Sequence, residues 1–143
     1  MAYKIPAVSA GAGSFYVQTG TGNLAGSSTY YLSTFFSPIT FTAATAAYTN
    51  IFMAKAGTIT ACYGFVQSTT PGSAENVTIA LRLNDTSNTN VTTTLQLDAD
   101  RTFSNNALSL AVSAGNFIDV LMITPAWVLA PLASKITVSF VVT

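Results

Sequence analysis

The chain reads as an all-β protein, an antiparallel β-sandwich, and three observations point that way. Apolar residues recur with a period of two in most segments after Asn50. Clusters of Gly, Pro, Asn, Asp and Ser separate those segments, and no helical period is sustained between them. Strands that follow one another without intervening helices bury their apolar faces against a second sheet.

The first clear strand holds Ile59, Ala61, Tyr63 and Phe65 in alternation with Thr58, Thr60, Cys62 and Gly64, which places the larger side chains on the core face. Next, Val77, Ile79, Leu81 and Leu83 alternate with Thr78, Ala80, Arg82 and Asn84 in the cleanest strand of the chain. Val91, Thr93, Leu95 and Leu97 repeat the theme, as do Leu108, Leu110 and Val112, and Ile136, Val138, Phe140 and Val142 close the domain. From Phe117 to Ile123 both faces are apolar except at Asp119, as expected of a central strand whose second face meets another layer or another subunit. Turn chemistry falls at Thr70-Pro71-Gly72-Ser73, from Asn84 to Asn88, at Ser104-Asn105-Asn106 and at Ala114-Gly115-Asn116. A jelly roll of about eight strands fits this count.

Ahead of that domain, assigned to residues 29–143, residues 1–28 read as an extended N-terminal arm. Gly, Ala, Ser and Thr dominate Ser9 to Ser28, broken by the apolar patch Phe15-Tyr16-Val17, which is expected to order against a neighbouring subunit. Two aromatic clusters follow, Tyr30-Tyr31-Leu32 and Phe35-Phe36, and a short helix is conceivable from Thr42 to Ala47. The first residues lack the apolar run of a signal peptide, and no window has the length of a membrane span, so synthesis in a cytoplasm is expected.

Composition narrows the function. Only 7% of residues are charged, acids and bases balance at five each, and histidine is absent. Catalysis, metal binding and phosphate recognition draw on side chains this chain scarcely has, so a non-enzymatic role without metal or cofactor is expected. Lys4, Lys55, Arg82, Arg101 and Lys135 are scattered, which argues against nucleic acid and anionic membranes as partners. Zero formal net charge on a chain that is 50% hydrophobic gives little repulsion between copies, and a homo-oligomer follows. Cys62 has no partner for an internal disulfide and reads as a small core residue.

Other candidate chemistry has a plain structural reading. Asp98 and Asp100 are a close carboxylate pair, but Ca²⁺ takes about 6–8 oxygen ligands, and a solvated turn with a local pair to Arg101 accounts for them. Gly20, Gly22 and Gly26 lack the strand, helix and lysine of a phosphate loop. The sequons at Asn76, Asn84 and Asn90 are chance in a chain rich in Asn and Thr. More telling is Pro125-Ala126-Trp127-Val128-Leu129-Ala130-Pro131-Leu132, an apolar stretch where a loop is expected. It either folds back over an end of the sandwich or docks on a neighbour, and Trp127, Val128 and Leu129 join Phe15, Tyr16 and Val17 as the candidate contact residues.

From Gly57 to Thr143 the chain resembles a jelly-roll module of tailed-bacteriophage virion proteins, trimeric capsid-decoration (cement) proteins and fibre knobs in particular. The resemblance lies in Gly57-Thr58-Ile59-Thr60, in Val77 to Asn84 before a polar turn, and in Val112 to Val120 leading to Pro125-Ala126-Trp127. A more distant likeness to the trimeric jelly rolls of the tumour-necrosis-factor and C1q type lies in Gly115-Asn116-Phe117, where many of those carry aspartate in place of Asn116. The resemblance implies a homotrimer on the outside of an icosahedral capsid, bound to the major capsid protein and stabilising the shell. The alternative is a fibre or spike knob that binds a host-cell glycan or receptor; aromatic rings stack on sugars, and Tyr30, Tyr31 and Trp127 are the residues expected to serve.

Overall fold

The computed structural model describes residues 14–33 and 49–143. Among these residues the structure is all-β, two antiparallel sheets packed face to face. Residues 1–13, Phe35, Phe36 and the helix conceived from Thr42 to Ala47 lie outside the described residues.

Sheet A is formed by β1 (Ser14–Gly22), β10 (Leu132–Val142), β4 (Gly57–Thr70) and β7 (Arg101–Asn105) in that order, with β8 (Leu110–Val112) also pairing with β4. Sheet B runs β2 (Thr29–Tyr31), β9 (Phe117–Ile123), β5 (Asn76–Leu83) and β6 (Ser87–Gln96), and β3 (Ile51–Phe52) pairs with β9 beside β2. Four sets of antiparallel partners are nested in sequence: β1 with β10, β2 and β3 with β9, β4 with β7 and β8, β5 with β6. The chain is thus one long hairpin rolled so that its arms fall into two layers.

The tip of that hairpin is set by turn chemistry. Asn84 and Asp85 both have positive φ, 49° and 56°, the left-handed backbone of a tight turn, in a three-residue connection from Leu83 to Ser87. Thr86 N–H donates to the Leu83 carbonyl across it, and Asn84 Oδ1 accepts from Phe117 N–H at 2.9 Å, tying the turn to β9. That engagement gives the Asn84 amide a structural task.

Ile59, Cys62, Val66, Ile136, Val138 and Phe140 from sheet A meet Val77, Ile79, Leu81, Ile118, Val120 and Met122 from sheet B in one core. β5 and β10 follow the alternation expected of them, and β9 is buried on both faces, as its apolar run implies. Two segments depart from the sequence reading. Ser14–Gly22, taken as part of an arm, is the edge strand of sheet A and pairs with β10 along its whole length. The phase of β4 is also reversed beyond Thr60: Cys62 is buried, whereas Tyr63 and Phe65 are 42% and 44% exposed. A bulge is the cause. Val141 pairs with Ala61 but Val142 with Ile59, so Thr60 is an extra residue, and one inserted residue exchanges the two faces of a strand.

Large and small residues complement one another behind that bulge. Phe140 stands opposite Cys62, and Phe103 opposite Gly64. A Cβ on Gly64 would lie 2.1 Å from the Phe103 ring, so the ring occupies the space a side chain would need. Gly64→Ala is therefore expected to lower stability by about 1–3 kcal/mol, the usual penalty of overpacking, and to lose most of that effect in a Phe103→Ala background. Urea denaturation of the two single variants and the double variant measures it.

Candidate functional site

Two surfaces and one buried network carry the polar and exposed apolar groups of interest. The first surface is the connection from β9 to β10. Trp127 is half-buried against the core, and its indole Nε1 donates to the Ala25 carbonyl at 3.3 Å. Ser27 N–H donates to the Pro125 carbonyl. From the other side, Ser73 N–H donates to the Leu129 carbonyl and Ser73 Oγ accepts from Leu129 N–H at 2.8 Å. Glu75 accepts from Val128 N–H and from the Ser73 hydroxyl. That hydroxyl, foremost, holds the Glu75 carboxyl below its ordinary range, and burial works weakly the other way. Gly72 is needed here, since a Cβ on it would lie 2.7 Å from the Leu129 carbonyl oxygen.

The loop therefore folds back over the end of the sandwich and is held from both sides, yet its tip is apolar and faces outward. Val128 is 89% exposed and Leu129 58%, with Leu132 also exposed close by in sequence. Of the expected contact residues, Val128 and Leu129 stand free on this tip while Trp127 anchors it.

The N-terminal patch is divided by strand alternation. Tyr16 points inward and stacks on Phe140, ring centroids 5.3 Å apart. Val17 points outward and is exposed. Phe15 pairs through its backbone with Val141, and its side chain lies outside the described residues. Val17 shares the outer face of sheet A with Tyr63 and Phe65, which forms the second surface. Nothing in the sequence pattern revealed that face, because the bulge at Thr60 carries no residue signature.

The buried network joins the sheets. Gln18, fully buried on β1, reaches across to sheet B between the pairings of β2 and β3 with β9. Its Oε1 accepts from Val120 N–H at 2.7 Å and its Nε2 donates to the Thr49 carbonyl. A side-chain amide thus takes the place of a missing peptide group. Leu32 N–H donates to the Val120 carbonyl, and Thr19 and Ser33 exchange backbone hydrogen bonds, closing the same corner. The Thr49 hydroxyl donates to Asp119 Oδ1 at 2.7 Å. Asp119 is fully buried, and burial pushes its carboxyl up to about 6 against the opposing effect of the Thr49 hydrogen bond; Asp85 raises it further and Arg82 lowers it.

Elsewhere, Asp98 and Arg101 form a bidentate pair at 2.8 and 2.9 Å, while Asp100 accepts from Gln67 at 3.3 Å. Burial pushes the Cys62 thiol up to about 12, which keeps it protonated at neutral pH. Tyr30 is buried with its hydroxyl accepting from Ala25 N–H at 2.6 Å, so its ring offers no open face for a sugar. Among the described residues no group of three or more acidic or thiol side chains is placed to hold a metal ion, and no helix is long and apolar enough to cross a membrane.

The fold and its surfaces define the class of protein: an all-β sandwich with a buried polar clasp and two apolar outer surfaces. No family model and no curated protein matches the chain.

Two outcomes test the clasp. Gln18→Leu strands Val120 N–H and the Thr49 carbonyl in the interior, and a loss of about 2–5 kcal/mol is expected in urea denaturation. Asp119 has a folded value above that of the unfolded chain, so the folded protein holds a proton that the unfolded chain releases between about pH 4 and pH 6. Its contribution favours folding below that window and is lost as pH rises through it, by up to about 3 kcal/mol. In Asp119→Asn this part of the pH dependence is expected to vanish, measured as stability against pH for the two proteins.

Proposed function

We propose that this chain is a non-enzymatic structural protein of a virion: a trimeric jelly roll that decorates the outside of an icosahedral phage capsid and stabilises it. The nested strand order supports the jelly-roll assignment. With β2 and β3 taken as one interrupted strand, and β7 and β8 as another, the ten segments reduce to eight, the number of a two-Greek-key sandwich.

The observation that carries the capsid reading is the tip of the β9–β10 loop. Two large aliphatic side chains, Val128 and Leu129, stand in water on a backbone already fixed by Ser73, Glu75 and Trp127. An apolar contact on a preorganised loop loses little conformational entropy on docking, which suits capture by a shallow apolar site on a capsid protein. Three such loops on one trimer engage a threefold lattice site together, and the first contact raises the effective concentration of the others. That multivalency clamps neighbouring capsid subunits without any covalent change. Synthesis in the host cytoplasm and residence on the virion surface follow from this reading.

Cryo-electron microscopy of the parent particle tests it directly: density for this sandwich is expected on the outer shell, and its absence there overturns the proposal. For the loop itself, Val128→Asp is expected to weaken binding to undecorated shells by at least ~10-fold in a co-sedimentation assay, the loss of a hot-spot contact.

A further inference from the structure

We infer that the outer face of sheet A is the seat of a second copy of this chain. The inference rests on the reading of the chain as a self-associating subunit and adds to it the face through which copies meet.

The geometry of that face is a ridge beside a trough. Tyr63 and Phe65 stand up from β4, two residues apart on its outward side. Their register partners are small on either hand: Ser139 and Thr137 on β10, Ser104 and Thr102 on β7. Beyond β10, Val17 lies opposite Ser139 and is 38% exposed, so β10 is the floor of a trough with an aromatic wall on one side and an aliphatic wall on the other. Two strand spacings make that trough about 10 Å across, enough to admit one aromatic ridge. The ridge of one copy fits the trough of the next.

Charge selects the partner. The transverse rows Val17, Ser139, Tyr63, Ser104 and Thr19, Thr137, Phe65, Thr102 contain no ionisable group except the tyrosine. Lys135 and Arg101 stand toward the far end of the sheet, opposite Gln67 and Val66. A nucleic acid, an anionic membrane or a strongly charged protein gains nothing from such rows, whereas an identical neutral surface meets it without unpaired charge. Four strands of about nine residues give a face of roughly 19 by 30 Å, so two copies bury on the order of 1,200 Å² together. That is the lower end of the range for specific interfaces, and it calls for concentration-dependent assembly.

Light scattering and sedimentation of the purified full chain over about 1–100 μM test the inference. A wild-type mass above that of the monomer, rising with concentration, is expected. Phe65→Glu is expected to give a monomer with the strand signature of its circular dichroism intact, and Phe65→Leu to remain assembled. Thr137→Glu, at an exposed position on the trough floor, gives the same monomer by a route that leaves the ridge unchanged. Val128→Asp is expected to leave the mass at that of the wild type. A wild type that stays monomeric at the highest concentration overturns the inference, as does an assembly whose mass neither Phe65→Glu nor Thr137→Glu changes. An assembly dissolved by Phe65→Glu, from a chain missing from virion shells, sustains this face and removes the capsid reading. Shell binding lost in Val128→Asp, together with an unchanged Phe65→Glu assembly, does the reverse.

Discussion

The corner where Gln18 meets Val120 and Thr49 is the constraint on which the arrangement of the two sheets depends. Apolar packing holds two layers together but is indifferent to small slips between them, because the hydrophobic effect has no direction. A buried hydrogen bond is directional, and an unmade one is expensive. Sheet B is interrupted between β2 and β3, which exposes the backbone of β9 at Val120 to the interior. A side chain from the opposite sheet, with a donor and an acceptor about as far apart as those of a peptide group, closes that gap. Gln18 supplies both, and in doing so fixes β1 and with it the edge of sheet A.

Asp119 extends the same corner in a less economical way. It lies in register with Arg82 on β5 and accepts a hydrogen bond from the Thr49 hydroxyl, and its burial leaves the charged form disfavoured. A carboxyl that prefers its proton is tolerable in an interior where a carboxylate is not. Burial thus favours the neutral acid, while the Thr49 hydrogen bond works the other way.

Much of the sandwich was legible in the sequence because its central strands alternate with a strict period of two. Val77 to Leu83 and Ile136 to Val142 face the core as their pattern requires, and Asp119 stood out as the lone charge in an apolar run. The edge was not legible. After the adjacent Phe15 and Tyr16, β1 is mostly Gln, Thr and Gly, so its alternation is weak, and its inward residues include Gln18 and Gly20 in place of aliphatics. β3 is two residues long and offers no period at all. The site divides the same way: an apolar, proline-bracketed loop announces Val128 and Leu129, but the tethers from Ser73 and Glu75 come from a turn about fifty residues earlier. Partners that distant leave no local pattern.

The reversed phase of β4 shows why periodicity alone misplaces the second surface. Alternation tells which residues share a face, and size then tempts the reader to put the larger set inside. Here the inner space beside β4 is already filled from the neighbouring strands, by Phe140 next to Cys62 and by Phe103 over Gly64, so small residues are the ones that fit. The bulge at Thr60 lets Ile59 remain in the core and then hands the outward side to Tyr63 and Phe65. Tyr63 and Phe65 are then 42% and 44% exposed, so their rings are only partly withdrawn from water. Packing against the neighbouring strands, and not side-chain size, decides which set of β4 residues is inside.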